Sequence, residues 1–294
     1  MPLDDRYFDS AGVPIRFVEA GQGEPLLLLH GFSSSLEEGW VDRGVVADLA
    51  SGWRVIAFDA RGHGQSGKPH DPAAYGPEMG RDVLRLMDHL GVGRAHVMGY
   101  SMGAHVAAHL AVHRPSRLHS LILGGAVGRV GWLPADQARV EAEAAELDQG
   151  LLSSQILRLW PKDQPPPSVD ELRALSARRL AGKDPRALAA VRRSNPAQVV
   201  TLEELAALPM PVLGVVGTAD PYRRDFERLR AAMPSLRLVE IDGAAHGNAV
   251  GRPEFVAAVR AFLAGHPMAE AEEPREYASP ACSLHELDPA FRSG

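Results

Sequence analysis

Three observations predict an α/β fold with a mostly parallel central sheet. Short apolar runs alternate with longer stretches of helical period over most of the 294 residues. The runs are continuous rather than polar-alternating, as strands buried on both faces require. Residues 95–104, AHVMGYSMGA, then pass from such a run through Gly99-Tyr100-Ser101-Met102-Gly103 into an Ala-rich helical stretch. A strand that turns sharply into a helix is the repeating step of a sheet covered on both faces.

Taken in order, residues 6–20 (RYFDSAGVPIRFVEA) predict two short antiparallel strands joined at Ala11-Gly12. PLLLLH at 25–30 is a buried strand, and so are RVIAFD at 54–59, AHVMGY at 95–100 and LHSLIL at 118–123. PVLGVV at 211–216 and LRLVEI at 236–241 complete a sheet of eight. Helices are expected at 37–50, 77–90, 102–113, 225–233 and 253–264, each between two strands or closing the series. The core is therefore expected over 1–126 and 209–266.

The alternation breaks at 127–208. There the chain turns polar and helical, in four pieces beginning PADQARVEAEAAELDQ, SSQILRLW, VDELRALSARRL and DPRALAAVRRS. Pro161, Pro165-Pro166-Pro167, Pro185 and Pro196 fix where each can start or stop. With no strand pattern the segment is read as a helical lid inserted after the sixth strand. Gly124-Gly125, Gly128 and Gly131 at its entry serve either as a hinge or as a tight crossing. Residues 267–294, rich in acidic, Pro and Ser residues, read as a flexible tail or a loosely docked strap.

Composition excludes several function classes. A net charge of −6 and the absence of a basic stripe argue against a nucleic-acid partner. The Arg residues between Arg173 and Arg193 are interleaved with Asp184 and apolar residues, the pattern of solvated helix faces. The single cysteine, Cys282, rules out an internal disulfide and lies in the tail, where its thiol is incidental. The amino terminus lacks a basic-then-apolar signal pattern, and no apolar run reaches membrane-spanning length. A cytoplasmic protein without a membrane partner is expected.

The chemistry starts at Ser101. A serine on a tight strand-to-helix turn holds its hydroxyl clear of the sheet's carboxyl edge. Gly99 and Gly103 suit a turn whose neighbouring backbone leaves no room for a Cβ. The Met102 amide opens the next helix, where the positive helix end favours an anion. A serine hydroxyl is a poor nucleophile at neutral pH; it needs an imidazole to take its proton and a carboxylate to orient that imidazole. Partners are sought at the carboxyl ends of other strands. Asp220 ends PVLGVVGTAD, whereas Asp225 reads as the cap of the following helix. His246, flanked by Gly243 and Gly247 in IDGAAHGNAV, is the histidine in a loop directly after a late strand. His105, His109 and His113 have a spacing that can chelate a metal, but no carboxylate is spaced to complete such a site.

In this order, Ser101, Asp220 and His246 resemble the α/β-hydrolase superfamily, over residues 6 to about 266. His30-Gly31-Phe32 is similar to the family's oxyanion loop, which implies that the Phe32 amide is a second donor beside Met102. Residues 59–66 (DARGHGQS) are similar to the D-x-R-G-x-G-x-S turn of lid-bearing members and are read as scaffold. Related dehalogenases and epoxide hydrolases carry an aspartate where this chain has Ser101, which disfavours those chemistries. Where many enol-lactonases, perhydrolases and carbon–carbon hydrolases carry S-M-G-G, this chain has Ala104.

The expectation is a serine hydrolase of a carboxylic ester or related acyl bond, with no metal or organic cofactor. Carbon–carbon bond hydrolase, lactonase and perhydrolase chemistry would use the same triad, and a ligand-binding protein without turnover is the non-enzymatic alternative. Leu151, Leu152, Ile156, Leu157, Leu159 and Trp160 form an apolar cluster in an otherwise charged segment. Some of these must pack the helices, and the rest, Trp160 foremost, are expected to roof the serine. Small to medium uncharged esters would then be the substrates.

Overall fold

The computed structural model describes residues 3–161 and 164–268. The tail expected at 267–294, with Cys282, lies almost wholly outside the described residues.

Ten strands are described. They are β1 Arg6–Asp9, β2 Pro14–Ala20, β3 Pro25–Leu29, β4 Arg54–Phe58, β5 Ala95–Tyr100 and β6 Leu118–Gly124, then β7 Arg129–Val130, β8 Val199–Val200, β9 Val212–Gly217 and β10 Arg237–Ile241. Eight form one sheet in the order β1-β2-β4-β3-β5-β6-β9-β10. β1 and β2 pair antiparallel, as does β2 with β4; every other pairing in this sheet is parallel. The order in which strands are added reverses at β3, so β4 and β5 flank it, and the carboxyl ends of β3 and β5 lie side by side in the middle of the sheet.

Side chains alternate between two apolar layers. Leu27 and Leu29 of β3 join Val97 and Leu121 on one face, where α2 (Pro77–His89) and α3 (Met102–His113) pack. Leu26 and Leu28 join Met98 and Ile122 on the other, against α1 (Val45–Leu49) and α10 (Pro253–Ala264). Every residue of β5 is buried, as a central parallel strand must be.

Two expectations need correction. The helix expected at 37–50 is broken: Glu37–Val41 forms a π-helical turn, Gly44 takes φ 76°, and α1 starts after it. A glycine at positive φ is the cheap place to redirect the chain and bury Trp40. The inserted segment does hold strands, since β7 and β8 pair in parallel as a two-residue ribbon separate from the sheet. Two residues are too few for a period-2 pattern to show.

Four inserted helices follow the anticipated pieces closely: α4 Pro134–Asp148, α5 Ser153–Arg158, α6 Val169–Leu180 and α7 Pro185–Arg193. The short α8 Leu202–Ala206 and then α9 Arg223–Ala232 lead back into the sheet. Leu147, Leu152, Ile156, Leu172, Leu180 and Leu188 give the inserted helices an apolar core of their own. Each start has a local cause. Ser168 and Glu171 form a reciprocal capping box on α6, and the Asp184 carboxylate accepts from Arg186 and Ala187 at the start of α7.

Candidate active site

The β5–α3 turn carries Ser101 at φ 54° and ψ −110°. Few side chains adopt positive φ, and here the surroundings enforce it. A Cβ on Gly99 would lie 2.2 Å from the Gly103 carbonyl oxygen, and one on Gly103 2.1 Å from that of Leu29. Backbone of β3, β5 and α3 therefore meets where only glycine fits, which lifts Ser101 above the sheet edge.

The partners come from later strands. Asp220 follows β9, with its side chain fully buried. One carboxylate oxygen accepts from the Tyr222 amide at 2.9 Å, and the other receives His246 Nδ1 at 2.8 Å. A carboxylate only accepts, so Nδ1 carries the proton and Nε2 presents a lone pair. That nitrogen stands 2.9 Å from Ser101 Oγ. His246 is 6% exposed, enclosed by the rings of Tyr100 at 5.5 Å and Tyr222 at 5.3 Å. Asp225, the other candidate acid, sits in the first turn of α9 and lines a separate small cavity.

The loop after β3 faces the same serine. A Cβ on Gly31 would be 3.6 Å from Ser101 Cβ, ordinary contact distance. The amides of Phe32 and Met102 donate to no other protein group among the described residues. His30 shapes this loop: its Nε2 accepts from the Ala60 amide at 3.1 Å, so its Nδ1–H donates to the Gly31 carbonyl at 2.8 Å. Burial holds His30 below the usual histidine range despite the nearby Asp59 charge.

The turn at 59–66 packs beneath that loop as scaffold. Asp59 accepts from the Leu36 and Gln65 amides, both at 2.8 Å, and a Cβ on Gly64 would collide with its carboxylate. Arg61 pairs in bidentate fashion with buried Asp82 of α2 and donates to the Ala74 carbonyl at 2.6 Å.

A cavity of about 430 Å³ opens over Ser101. Of the inserted segment's apolar cluster, Leu159 lines it, Leu152 and Ile156 are spent in the helices' own core, and Leu157 faces solvent. Trp160 stands elsewhere. It lines a neighbouring groove with Pro165, Pro166 and Pro167, and its Nε1 donates to the Pro165 carbonyl at 3.1 Å. The proline run gives the indole a partner for both its ring and its N–H, which draws it away from the serine. Gly125, at the entry to the inserted segment, takes φ 64°, and a Cβ on it would lie 3.1 Å from His246 Cε1, a close approach that suits glycine.

Two contacts were invisible in the sequence. Tyr100 donates its hydroxyl to the His246 carbonyl at 2.5 Å, tying the motif residue before Ser101 to the histidine loop. Burial and the Asp220 charge raise the Tyr100 phenol, keeping it a donor. Arg192 of α7 lies 3.8 Å from the centre of the Phe32 ring and reaches Glu143 at 3.3 Å. Burial pushes its guanidinium down to about 10. Strand alternation signals the first residue's direction; nothing local signals the second. Among the described residues no group of three His, Cys, Asp or Glu side chains is placed to hold a metal, and His109 and His113 instead stack at 4.1 Å. Nor is any described helix long and apolar enough to cross a membrane.

The family model for the alpha/beta hydrolase fold matches residues 24–250. The chain belongs to the alpha/beta hydrolase family. This hydrolase is similar to 3-oxoadipate enol-lactonase 1 of Acinetobacter baylyi, 30% identical over 211 residues, or 71% of this chain and 77% of that one. It is 36% identical over 165 residues to the dihydrolipoyllysine-residue acetyltransferase component of the acetoin cleaving system of Cupriavidus necator. That match takes in 52% of this chain and only 43% of the longer protein. Among solved structures, a hydrolase from Pseudomonas aeruginosa PA01 superposes with a TM-score of 0.72 at 27% identity, covering 88% of this chain and 98% of that one.

Proposed function

We propose that this hydrolase cleaves a carboxylic ester through an acyl-enzyme formed on Ser101. The observation that carries the reading is the unbroken hydrogen-bond chain from Ser101 Oγ through His246 to Asp220, at 2.9 and 2.8 Å. His246 Nε2 takes the hydroxyl proton as Oγ bonds to the ester carbonyl carbon, and Asp220 stabilises the imidazolium. The Phe32 and Met102 amides hold the oxyanion, each such donor contributing about 3 kcal/mol to the transition state in comparable sites. Collapse breaks the bond to the alkoxy oxygen, which leaves as the alcohol with the proton from His246. Water, deprotonated by the same nitrogen, then releases the acid and restores Ser101.

A lactone is an ester closed on itself, and the same steps open it. Displacement of a halide by serine would instead leave an alkyl ether that water does not cleave, so the nucleophile's identity speaks against that chemistry. Ser101→Ala tests the reading: hydrolysis of p-nitrophenyl butyrate should fall by roughly a thousandfold or more while the melting temperature holds. Turnover retained in the alanine variant would contradict it.

A further inference from the structure

The cavity over Ser101 holds more positive charge than acyl transfer needs. Arg43, Arg178, Arg179 and Lys183 line it, and Glu38 is the one carboxylate among the described lining residues. Glu38 is already engaged, since Lys183 Nζ donates to it at 2.7 Å. Arg43 finds only neutral acceptors, the carbonyls of Glu38 at 2.9 Å and Gly247 at 3.4 Å. Arg178 and Arg179 make no hydrogen bond or ion pair among the described residues.

The carbonyls at the end of α6 favour a cation on its last turn, which is where Arg178 and Arg179 stand. That preference does not explain why Arg43, which lies between β3 and α1, lines the same space. A cleft lined by one sign of charge concentrates the opposite sign, and guanidinium groups match planar oxyanions well. Leu159 and Val250 line the cavity beside these cations. We propose that the substrate is an ester bearing a free carboxylate at the end remote from the scissile bond, bound by Arg178 and Arg179 in the field of Arg43. The scissile bond rests on the ester reading above; the selection of charge does not.

Two measurements separate these parts. In the first, kcat/KM is compared for monoethyl adipate and ethyl hexanoate, esters of equal acyl carbon number. The wild type should prefer the charged ester by about tenfold or more, through KM, and the preference should shrink as salt rises from about 0.05 to about 0.5 M. In Arg178→Gln/Arg179→Gln, checked for an unchanged melting temperature, the ratio of the two should fall toward unity. Equal use of both esters by the wild type, or a preference indifferent to both salt and the double variant, overturns the proposal. In the second, monoethyl adipate is titrated calorimetrically into Ser101→Ala protein with and without the arginine changes, so no turnover is required. Binding weakened about tenfold or more by the arginine changes supports the carboxylate site even if no ester is hydrolysed, in which case the ester reading alone fails. Binding that ignores them overturns the site even if esters are cleaved.

Discussion

Ser101 at φ 54° holds a conformation that most side chains avoid, and the chain around it supplies what makes that conformation the lowest available. Gly99 and Gly103 were readable as necessities because the motif and its strand-to-helix setting were both in the sequence. Asp220 and His246 were readable because a parallel sheet sends its strand ends to one edge. Tyr222, whose amide holds Asp220, was not, since nothing in GTADPY marks the backbone of its last residue as a donor. The roles of the two outer residues are separable. Asp220→Asn keeps the shape but puts an amide against His246 Nδ1, which favours the tautomer whose Nε2 carries the proton and cannot accept another. Steady-state kinetics should show kcat lower by roughly 10³–10⁴-fold with the serine still in place. An asparagine variant within a few-fold of wild type would remove Asp220 from the assignment and turn attention to Asp225.

At the scale of elements, helices with one long uninterrupted period were anticipated to the residue: Met102–His113, Val169–Leu180 and Pro253–Ala264. Gly44 split the helix expected at 37–50, and β7 and β8 escaped because pairing, not periodicity, defines so short a strand. The apolar cluster at 151–160 misled for a related reason. Its composition signalled burial but not against what, and Leu152 and Ile156 were needed by the inserted helices themselves. The link between α2 and the turn after β4 is the bidentate Arg61–Asp82 pair, whose side chains are 3% and 1% exposed. Burial drives the Asp82 carboxyl upward against the pull of Arg61, so removing the arginine leaves a buried carboxyl with only the Ser10 hydroxyl and, at 3.9 Å, Arg85. Arg61→Met should cost about 3 kcal/mol in denaturant unfolding, and adding Asp82→Leu should recover much of it. Strictly additive losses would show that the pair is not the link.

Across the whole molecule, the eight-stranded, mostly parallel sheet covered on both faces followed from alternating buried runs, whereas the strand order and the charge of the substrate cavity did not. Arg178 and Arg179 read as a solvated face and are exposed, and only folding shows that they line one cavity with Arg43. The interior also sets the acid limit of stability. Burial, with a smaller contribution from His30, lowers His63 from 6.5 to about 3. Between those values the unfolded chain binds a proton that the folded chain refuses, so stability falls as pH drops below about 6.5 and levels only near the folded value. At pH 5 the loss from this residue is about 2 kcal/mol. His63→Gln, which keeps a donor for the Arg61 carbonyl, should therefore lose less stability than wild type between pH 7 and pH 5, as read by denaturant melts. Equal losses in both proteins would mean that His63 titrates in the folded state as it does in the unfolded one.

The central claim is that Ser101, activated by His246, attacks an electrophilic acyl or phosphoryl centre. Incubation with a fluorophosphonate, followed by intact mass and peptide mapping, addresses it most directly. One adduct per chain on the peptide carrying Ser101 is predicted, with none on Ser101→Ala and much slower labelling of His246→Ala. An unlabelled wild type, or an adduct on another residue, would contradict the account.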